Sequence, residues 1–325
     1  MISDAGVVTL YRPYVVHGLR VRSQLELPIP EAVGGLEEPD LTVHLQPAPK
    51  PEHGERMVAW APCEIHGVDT TVHRGDSGTW IWQRSVATCH VHPDLRVVDI
   101  YPEEGADLEA MALLAMGPVC TYILLRMGVP VLHATAVLVG GRALAFAGSQ
   151  GQGKSTIASF LLARGGRLLT DDSLPLRQAH GRVLGAPGVP MMKLWPETAR
   201  HALGLSAELP HLLCGYEKRR LLLTDRWELV DRAVPIDVVY LLRRCDASTC
   251  HNVQVSVLPP QEAFTEILRH VANRAYLLPA EEARLVPTLA ALSSHGRVRR
   301  LTYPSGFEHA DLVYRSIVND AEVER

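Results

Sequence analysis

Neither sign of charge dominates this chain. Its 325 residues carry 32 Lys and Arg against 36 Asp and Glu, a formal net charge of -4. That balance gives no bulk attraction to nucleic acid or to an anionic membrane, so a small molecule, a peptide or a protein is the expected partner. Cysteine is sparse. Six residues, Cys63, Cys89, Cys120, Cys214, Cys245 and Cys250, are scattered over the whole length, which argues for free thiols over a disulfide framework. Long apolar runs are also missing: the longest uncharged stretch, 110–125, falls short of the ~20 residues a membrane span needs and is interrupted at Gly117-Pro118. The opening MISDAGVVTLYRPY has no basic region followed by an apolar core, so no secretory signal and a soluble, cytoplasmic protein are expected. No internal repeat or low-complexity tract is present. The 47% hydrophobic fraction is enough for one large core or two ordinary ones.

Apolar residues recur at period two in the first third, at Leu19 and Val21, Leu25 and Leu27, then Leu41, Val43 and Leu45. Further strand-like runs fall at 79–82, 87–91 and 95–101, separated by polar turns such as Arg74-Gly75-Asp76-Ser77-Gly78. This predicts an antiparallel, mostly β N-terminal domain over 1–104, with a Pro-rich exposed loop at 47–55. Asp107 begins a helix expected to reach about Met127, with Asp107 and Glu109 at its positive end. An apolar β-rich run follows at 131–139, then a turn at Gly140-Gly141 and a strand at 143–147. A helix from about Gly153 to Ala163 is stopped by Gly165-Gly166 and leads to a strand at 167–170. The alternation reads as an α/β domain over 105–325. Beyond 180 the pattern predicts buried strands at 234–242 and 253–258, helices at 260–273 and 279–293, a strand at 298–303 and a helix at 307–319.

The stretch Gly148-Ser149-Gln150-Gly151-Gln152-Gly153-Lys154-Ser155 matches G-x-x-x-x-G-K-[ST], between a strand and a helix. Three glycines let backbone N–H groups wrap a phosphate chain, and the helix start adds unpaired N–H groups and a positive dipole end. Lys154 would bring a cation to the phosphates, Ser155 a hydroxyl to Mg²⁺, and Thr156 would complete the nucleotide-binding run. Asp171-Asp172 closes the next apolar strand, where ligands gather in α/β sheets. One carboxylate can serve the metal and the other can take a proton from an attacking hydroxyl, provided a turn brings both to one side. A surface turn or a helix cap is the bland reading of the pair. His133, in Val131-Leu132-His133-Ala134-Thr135, is by itself either a satisfied core residue or a site residue.

Other groups read more plainly. In Cys89-His90-Val91-His92, residues two apart share a strand face and could hold a metal, and Cys245 with Cys250-His251 forms a second set. Neither has a matching half at metal-site spacing, so buried thiols and surface histidines are the expectation. Trp80 and Trp82 share a face, where packing is the default. Lys193 and Lys218-Arg219-Arg220 are candidate contacts to phosphate or a peptide carboxylate, or a solvated patch.

Taken together, Leu132-His133, the Gly140-Gly141 hairpin, the loop 148–155, Arg164-Gly165 and Leu168-Leu169-Thr170-Asp171-Asp172 resemble the C-terminal domain of HPr kinase/phosphorylase. The resemblance implies a P-loop kinase fold that phosphorylates a serine hydroxyl with ATP and Mg²⁺. Position by position it implies catalytic roles for His133, Lys154 and Asp172, with Ser155 on the metal; Asp171, the other member of the carboxylate pair, is expected to support catalysis from the metal side. The family's Glu-Ile-Arg-Gly-Leu-Gly signature is replaced here by Gly185-Ala186-Pro187-Gly188-Val189-Pro190-Met191-Met192-Lys193-Leu194-Trp195-Pro196, so the resemblance does not extend to phosphorylase activity or to HPr as substrate. The Pro-Gly-x-Pro and Lys-Leu-Trp-Pro pattern, with Tyr14-x-x-His17-Gly18-Leu19 and Leu25-x-Leu27-Pro28, is similar to the HPr-kinase-related enzymes of lasso-peptide biosynthesis. Those imply a serine at the C-terminal end of a precursor peptide as acceptor. The reading is an α/β protein, a P-loop kinase domain with a smaller β domain, acting without nucleic acid or membrane and with room for a homo-oligomer. Its rivals are a kinase for a free hydroxyl compound such as serine and a nucleotide-sensing module without transfer.

Overall fold

The computed structural model describes residues 10–34, 38–47, 58–59, 63–65, 68–206, 208–212, 217–223, 226–248 and 250–322. Most of the Pro-rich segment at 47–55 lies outside them, as does Cys214. The chain divides into two compact units, 1–123 and 124–325.

The first unit is built on one sheet. Its strands are β1 (Arg12–Val16), β2 (Leu19–Ser23), β3 (Leu41–Leu45), β4 (Val58–Ala59), β5 (Cys63–Ile65), β6 (Val68–Gly75), β7 (Gly78–Gln83), β8 (Ala87–Val91) and β9 (Val97–Pro102). They lie in the order β1-β2-β3-β9-β8-β7-β6-β4, with β5 against β6. The sheet is mixed, which corrects the expected antiparallel arrangement: β3 runs parallel to both β2 and β9. The cause is the connection 24–40, which returns the chain to the end where β2 began. Leu25 and Leu27, expected in a strand, are buried outside any ladder, and the Leu27 N–H donates to the Tyr14 hydroxyl at 3.2 Å. Period-two burial therefore marked an extended segment without marking a strand.

Asp107 caps the next helix as its side chain accepts from the Glu109 N–H. The helix runs as α1 (Leu108–Leu114), one π turn (Ala115–Val119) and α2 (Cys120–Arg126). Pro118 sits inside the π turn, which absorbs its missing donor without breaking the rod. The expected interruption is thus only a local widening. At 19 residues the helix is long and apolar enough to cross a membrane, yet 67% of its apolar window is buried inside the protein.

The second unit is a mixed α/β structure. Its strands are β10 (Val131–Leu132), β11 (Ala134–Val139), β12 (Arg142–Ala147), β13 (Arg167–Thr170), β14 (Leu174–Ala179), β15 (Arg182–Gly185), β16 (Met191–Leu194), β17 (Arg219–Leu222), β18 (Val234–Cys245), β19 (Gln254–Val257) and β20 (Val298–Pro304). The main sheet follows β10-β14-β15-β18-β12-β11-β13, with β20 beside β18 and β19 outside β20, while β16 and β17 form a separate ribbon. β12 is parallel to β18, and β18 to β20. The helices are α3 (Lys154–Leu162), α4 (Pro196–Leu203), α5 (Pro260–Arg269), α6 (Pro279–Ala283), α7 (Val286–Ser293) and α8 (Ala310–Glu322).

The hairpin β11-β12 turns at Gly140 and Gly141, both at positive φ, the conformation a tight two-residue turn requires. Residues 143–147 are all buried, as expected for a strand packed on both faces. Three details differ from expectation. The run 131–139 breaks at His133. The segment 253–258 is a largely exposed edge strand rather than a buried one, with Val257 57% exposed. The helix 279–293 splits into α6 and α7, where Pro287 can only sit at a helix start. The expectation of free thiols is corrected at Cys245 and Cys250, whose Cα atoms lie 6.0 Å apart and which form a disulfide. Cys89 and Cys120 are free and buried.

Gly188 lies against the end of β13, its N–H donating to the Leu169 carbonyl at 2.8 Å. A Cβ there would stand 2.1 Å from Thr170 Oγ1 and 3.1 Å from its Cα. Gly188→Ala should therefore lower stability by roughly 1–3 kcal/mol, the usual range for overpacking, read as a lower urea midpoint at unchanged slope.

Candidate active site

β12 delivers the chain to the glycine-rich loop, and α3 leaves it. Gly153, in the left-handed region at φ 87°, is the residue before the helix, and Gly151 is left-handed too at φ 80°. The loop is fastened from outside: Gln152 Oε1 accepts from the Arg244 N–H at 2.7 Å, and the Tyr303 hydroxyl donates to the Gln152 carbonyl. Lys154 folds back into the loop, its ammonium donating to the Gly148 carbonyl at 2.8 Å and to Ser149 at 3.3 Å. Burial pulls the Lys154 pKa down, opposed by the Asp172 and Asp171 carboxylates.

Asp171 is 4% exposed and accepts from three directions. Thr135 Oγ1 donates to its Oδ1 at 2.6 Å and Ser155 Oγ at 2.9 Å, while the Lys193 backbone N–H donates to Oδ2 at 2.8 Å. Asp172 is in the left-handed region at φ 72°. Asp tolerates this conformation better than most residues, and it supplies the turn that adjacent carboxylates need to act on one place. Its Oδ2 accepts from Lys193 Nζ at 2.7 Å, and its Oδ1 lies 3.2 Å from His133 Nδ1. Both aspartates thus meet Lys193, one through its backbone and one through its ammonium.

His133 occupies the break between β10 and β11, its own N–H donating to the His270 carbonyl at 2.8 Å. Burial lowers the His133 pKa; the Asp172 charge opposes this, while Lys154 and Lys193 reinforce it. His270 is shifted down as well, by burial first and then by Lys154 and His133.

Two cavities touch the loop. One, of about 190 Å³, runs beside α3 and is lined by Gly153, Thr156, Phe160, Trp195, Phe307 and Tyr314 among others. The other is an open cleft of about 690 Å³ whose walls include His133, Gly148, Ser149, Arg243, His270 and Arg300.

His133, Lys154, Ser155, Asp171 and Asp172 therefore come together, with Gly148, Ser149, Gln150, Gly151, Gln152 and Gly153 forming the loop above them. Thr156 points elsewhere, its hydroxyl 3.0 Å from that of Thr198. Lys193, read as a candidate phosphate or peptide contact, has its ammonium on Asp172. Of its neighbours, Arg219 turns away to His211 at 2.6 Å and Glu208 at 3.7 Å, and Lys218 lies 5.8 Å from the Trp195 ring centre. Thr135 and His270 were missed. Thr135 had a signal, since it sits two residues after His133 in the strand beside the loop; His270, at the end of a distant helix, had none.

No family model and no curated protein matches the sequence. Among solved structures the chain matches the Hpr(Ser) kinase/phosphatase from Coxiella burnetii over 60% of its own length and 99% of that chain, at 11% identity and a TM-score of 0.29. A likeness that low carries no argument about activity.

Folding lowers the His133 pKa, through burial first, so the unfolded chain binds the extra proton more readily. Stability from this group is complete above the ordinary histidine value of about 6.5 and is lost as pH falls below it. The urea midpoint of the wild type should fall more steeply below that pH than that of His133→Gln.

Proposed function

We propose that the second unit is an ATP-dependent kinase that phosphorylates a serine hydroxyl. The observation that carries this reading is the meeting of Lys154, Ser155, Asp171 and Asp172 under one glycine-rich loop. Backbone N–H groups and the Lys154 ammonium grip the β- and γ-phosphates, and the phosphate chain runs from the Thr156 end of the loop toward Ser149. The nucleoside then falls in the apolar cavity beside α3, and the acceptor reaches the γ-phosphorus from the His133 cleft. Ser155 and Asp171, two hard oxygen donors 2.9 Å apart, would hold Mg²⁺, which would supply positive charge to offset the charge that develops on transfer.

Asp172 is the general base. It takes the proton of the serine hydroxyl as that oxygen bonds to the γ-phosphorus; the bond to the β–γ bridging oxygen breaks and ADP leaves. The lowered His133 pKa matters here. An imidazolium in addition to the Lys193 ammonium would hold the Asp172 carboxylate too firmly in its charged form to accept a proton.

The acceptor in this reading is the C-terminal end of a ribosomal precursor peptide of lasso type. Its support is the sequence pattern at 14–28 and 187–196, together with a cleft wall carrying Arg243, Arg300 and His270, which suits a terminal carboxylate. A free hydroxyl compound such as serine is the second reading, favoured by the same basic wall.

Three measurements test the proposal. Asp172→Asn should lower transfer by ~10²–10⁴-fold while ATP affinity changes only a few-fold; wild-type turnover in that variant removes the base. Lys154→Ala should weaken ATP binding by calorimetry as well as transfer, and an unchanged affinity counts against the loop. With ATP and either free serine or a serine-ended peptide, phosphorylated product from the peptide alone supports the first acceptor, from serine alone the second, and from no hydroxyl donor at all a nucleotide sensor.

A further inference from the structure

The first unit carries a row of histidines that the kinase reading does not use. Along one line perpendicular to the strands, the ladder places His44 of β3 opposite Asp99 of β9, Asp99 opposite His90 of β8, His90 opposite Trp80 of β7, and Trp80 opposite His73 of β6. His92, two residues after His90, comes to the same face. Cys89 points the other way and is fully buried. The sequence motif Cys-His-Val-His therefore does not act as a unit; its histidines are completed by a carboxylate from the neighbouring strand.

We propose that His90, His92 and Asp99 form a binding site for a divalent first-row metal ion of the zinc type. One ligand atom from each lies within 4.8 Å of the others. His90 is oriented as a metal ligand would be. Its Nε2 is 2.9 Å from the Ser77 carbonyl, which can only accept, so Nε2 carries the proton and the lone pair of the neutral ring is on Nδ1. That Nδ1 faces Asp99 Oδ2 at 4.0 Å, too long for a hydrogen bond but within what two ligands on one ion span. A ring nitrogen tied to a backbone carbonyl while the other faces the metal is the usual second layer of such sites. Trp80 stacks on the His90 ring at 3.9 Å and 10°, which fixes its plane, and Gln46 Nε2 donates to Asp99 Oδ1 at 2.7 Å, leaving Oδ2 toward the histidines.

His92 closes the set with its Nε2 2.7 Å from Asp99 Oδ2. In that contact Nε2 is the donor. On binding, the metal takes the place of this proton, which moves to Nδ1 of the same ring, so the neutral imidazole and the carboxylate both become ligands. Two nitrogens and one carboxylate oxygen suit zinc and its neighbours over Mg²⁺, which separates this site from the Ser155-Asp171 pair. The His90 and Asp99 side chains are 10% and 12% exposed, whereas that of His92 is 36% exposed, so one side of the site opens to solvent and a fourth position is available to water.

The full chain, stripped with a chelator and dialysed, is titrated with Zn²⁺ and with Co²⁺, reading bound metal by mass spectrometry and the cobalt spectrum by absorbance. About one Zn²⁺ per chain is expected. His92→Ala, chosen because the side chain is partly exposed, should weaken binding about 100-fold or more and abolish the cobalt bands, with the near-ultraviolet circular dichroism unchanged. Asp99→Asn should do the same, and Ser155→Ala should retain wild-type uptake. The proposal is overturned if the wild type takes up no metal, or if His92→Ala binds it as tightly as the wild type.

Discussion

Asp171 accepts hydrogen bonds from three separate pieces of chain: Thr135 on β11, Ser155 in the first turn of α3, and the backbone of Lys193 on β16. A carboxylate buried to 4% exposure is tolerable only when its lone pairs are occupied, and hydrogen bonds to a charged group contribute ~1.5–3 kcal/mol each. The same carboxylate therefore sets the distance between strand end, helix start and ribbon. The shape of the loop depends on this, because α3 cannot slide along β13 without leaving an acceptor of Asp171 unoccupied. The Gln152 contacts to Arg244 and Tyr303 hold the other side of the loop against β18 and β20, so it is fixed from both flanks.

The second aspartate owes its position to backbone geometry. On a regular strand Asp172 would point away from Asp171. Its positive φ turns it back, at a cost of order 1 kcal/mol that the ion pair with Lys193 and the contact to His133 help to offset. Two neighbouring carboxylates thus acquire different surroundings. Asp171 is enclosed by neutral donors, a setting for a fixed negative charge; Asp172 faces the Lys193 ammonium and the imidazole of His133, a residue of the cleft wall. The difference between them follows from environment, since the side chains are identical.

How much of this was legible depended on how far along the chain each contact reaches. The strand, loop, helix, strand succession from 134 to 170 is encoded in contiguous residues, so periodicity and glycine placement were enough to place β12, α3 and β13 within a residue or two, while the run expected at 131–139 is divided into β10 and β11. The meeting of Ser155 with Asp171 followed from strand-end geometry. What could not be read were contacts made across the sheet or through a distant turn. Lys193 reaches Asp172 only because β16 lies beside the end of β13, and His270 enters the cleft only because the chain after α5 bridges back to Leu132. Parallel pairing of β3 was hidden for the same reason, since a period-two pattern fixes faces and says nothing of direction.

The histidine row shows the same limit from the opposite side. Scanning for ligands along the sequence finds His90 and His92 and stops, because the third ligand, Asp99, lies beyond a turn at 92–96 and belongs to another strand. In a sheet the shortest path between neighbouring side chains runs across the ladder, and directly opposite residues lie ~5 Å apart whatever their separation in sequence. A tight β8-β9 hairpin whose register pairs His90 with Asp99 is therefore sufficient to assemble a ligand set from residues that no linear motif connects. The glycine-rich loop at 148–153 is the contrary case, in which a helix start and a glycine turn gather backbone groups that are consecutive. The two units of this chain thus assemble polar clusters by different rules, one along the chain and one across it, and only the first leaves a signature that can be read without the fold.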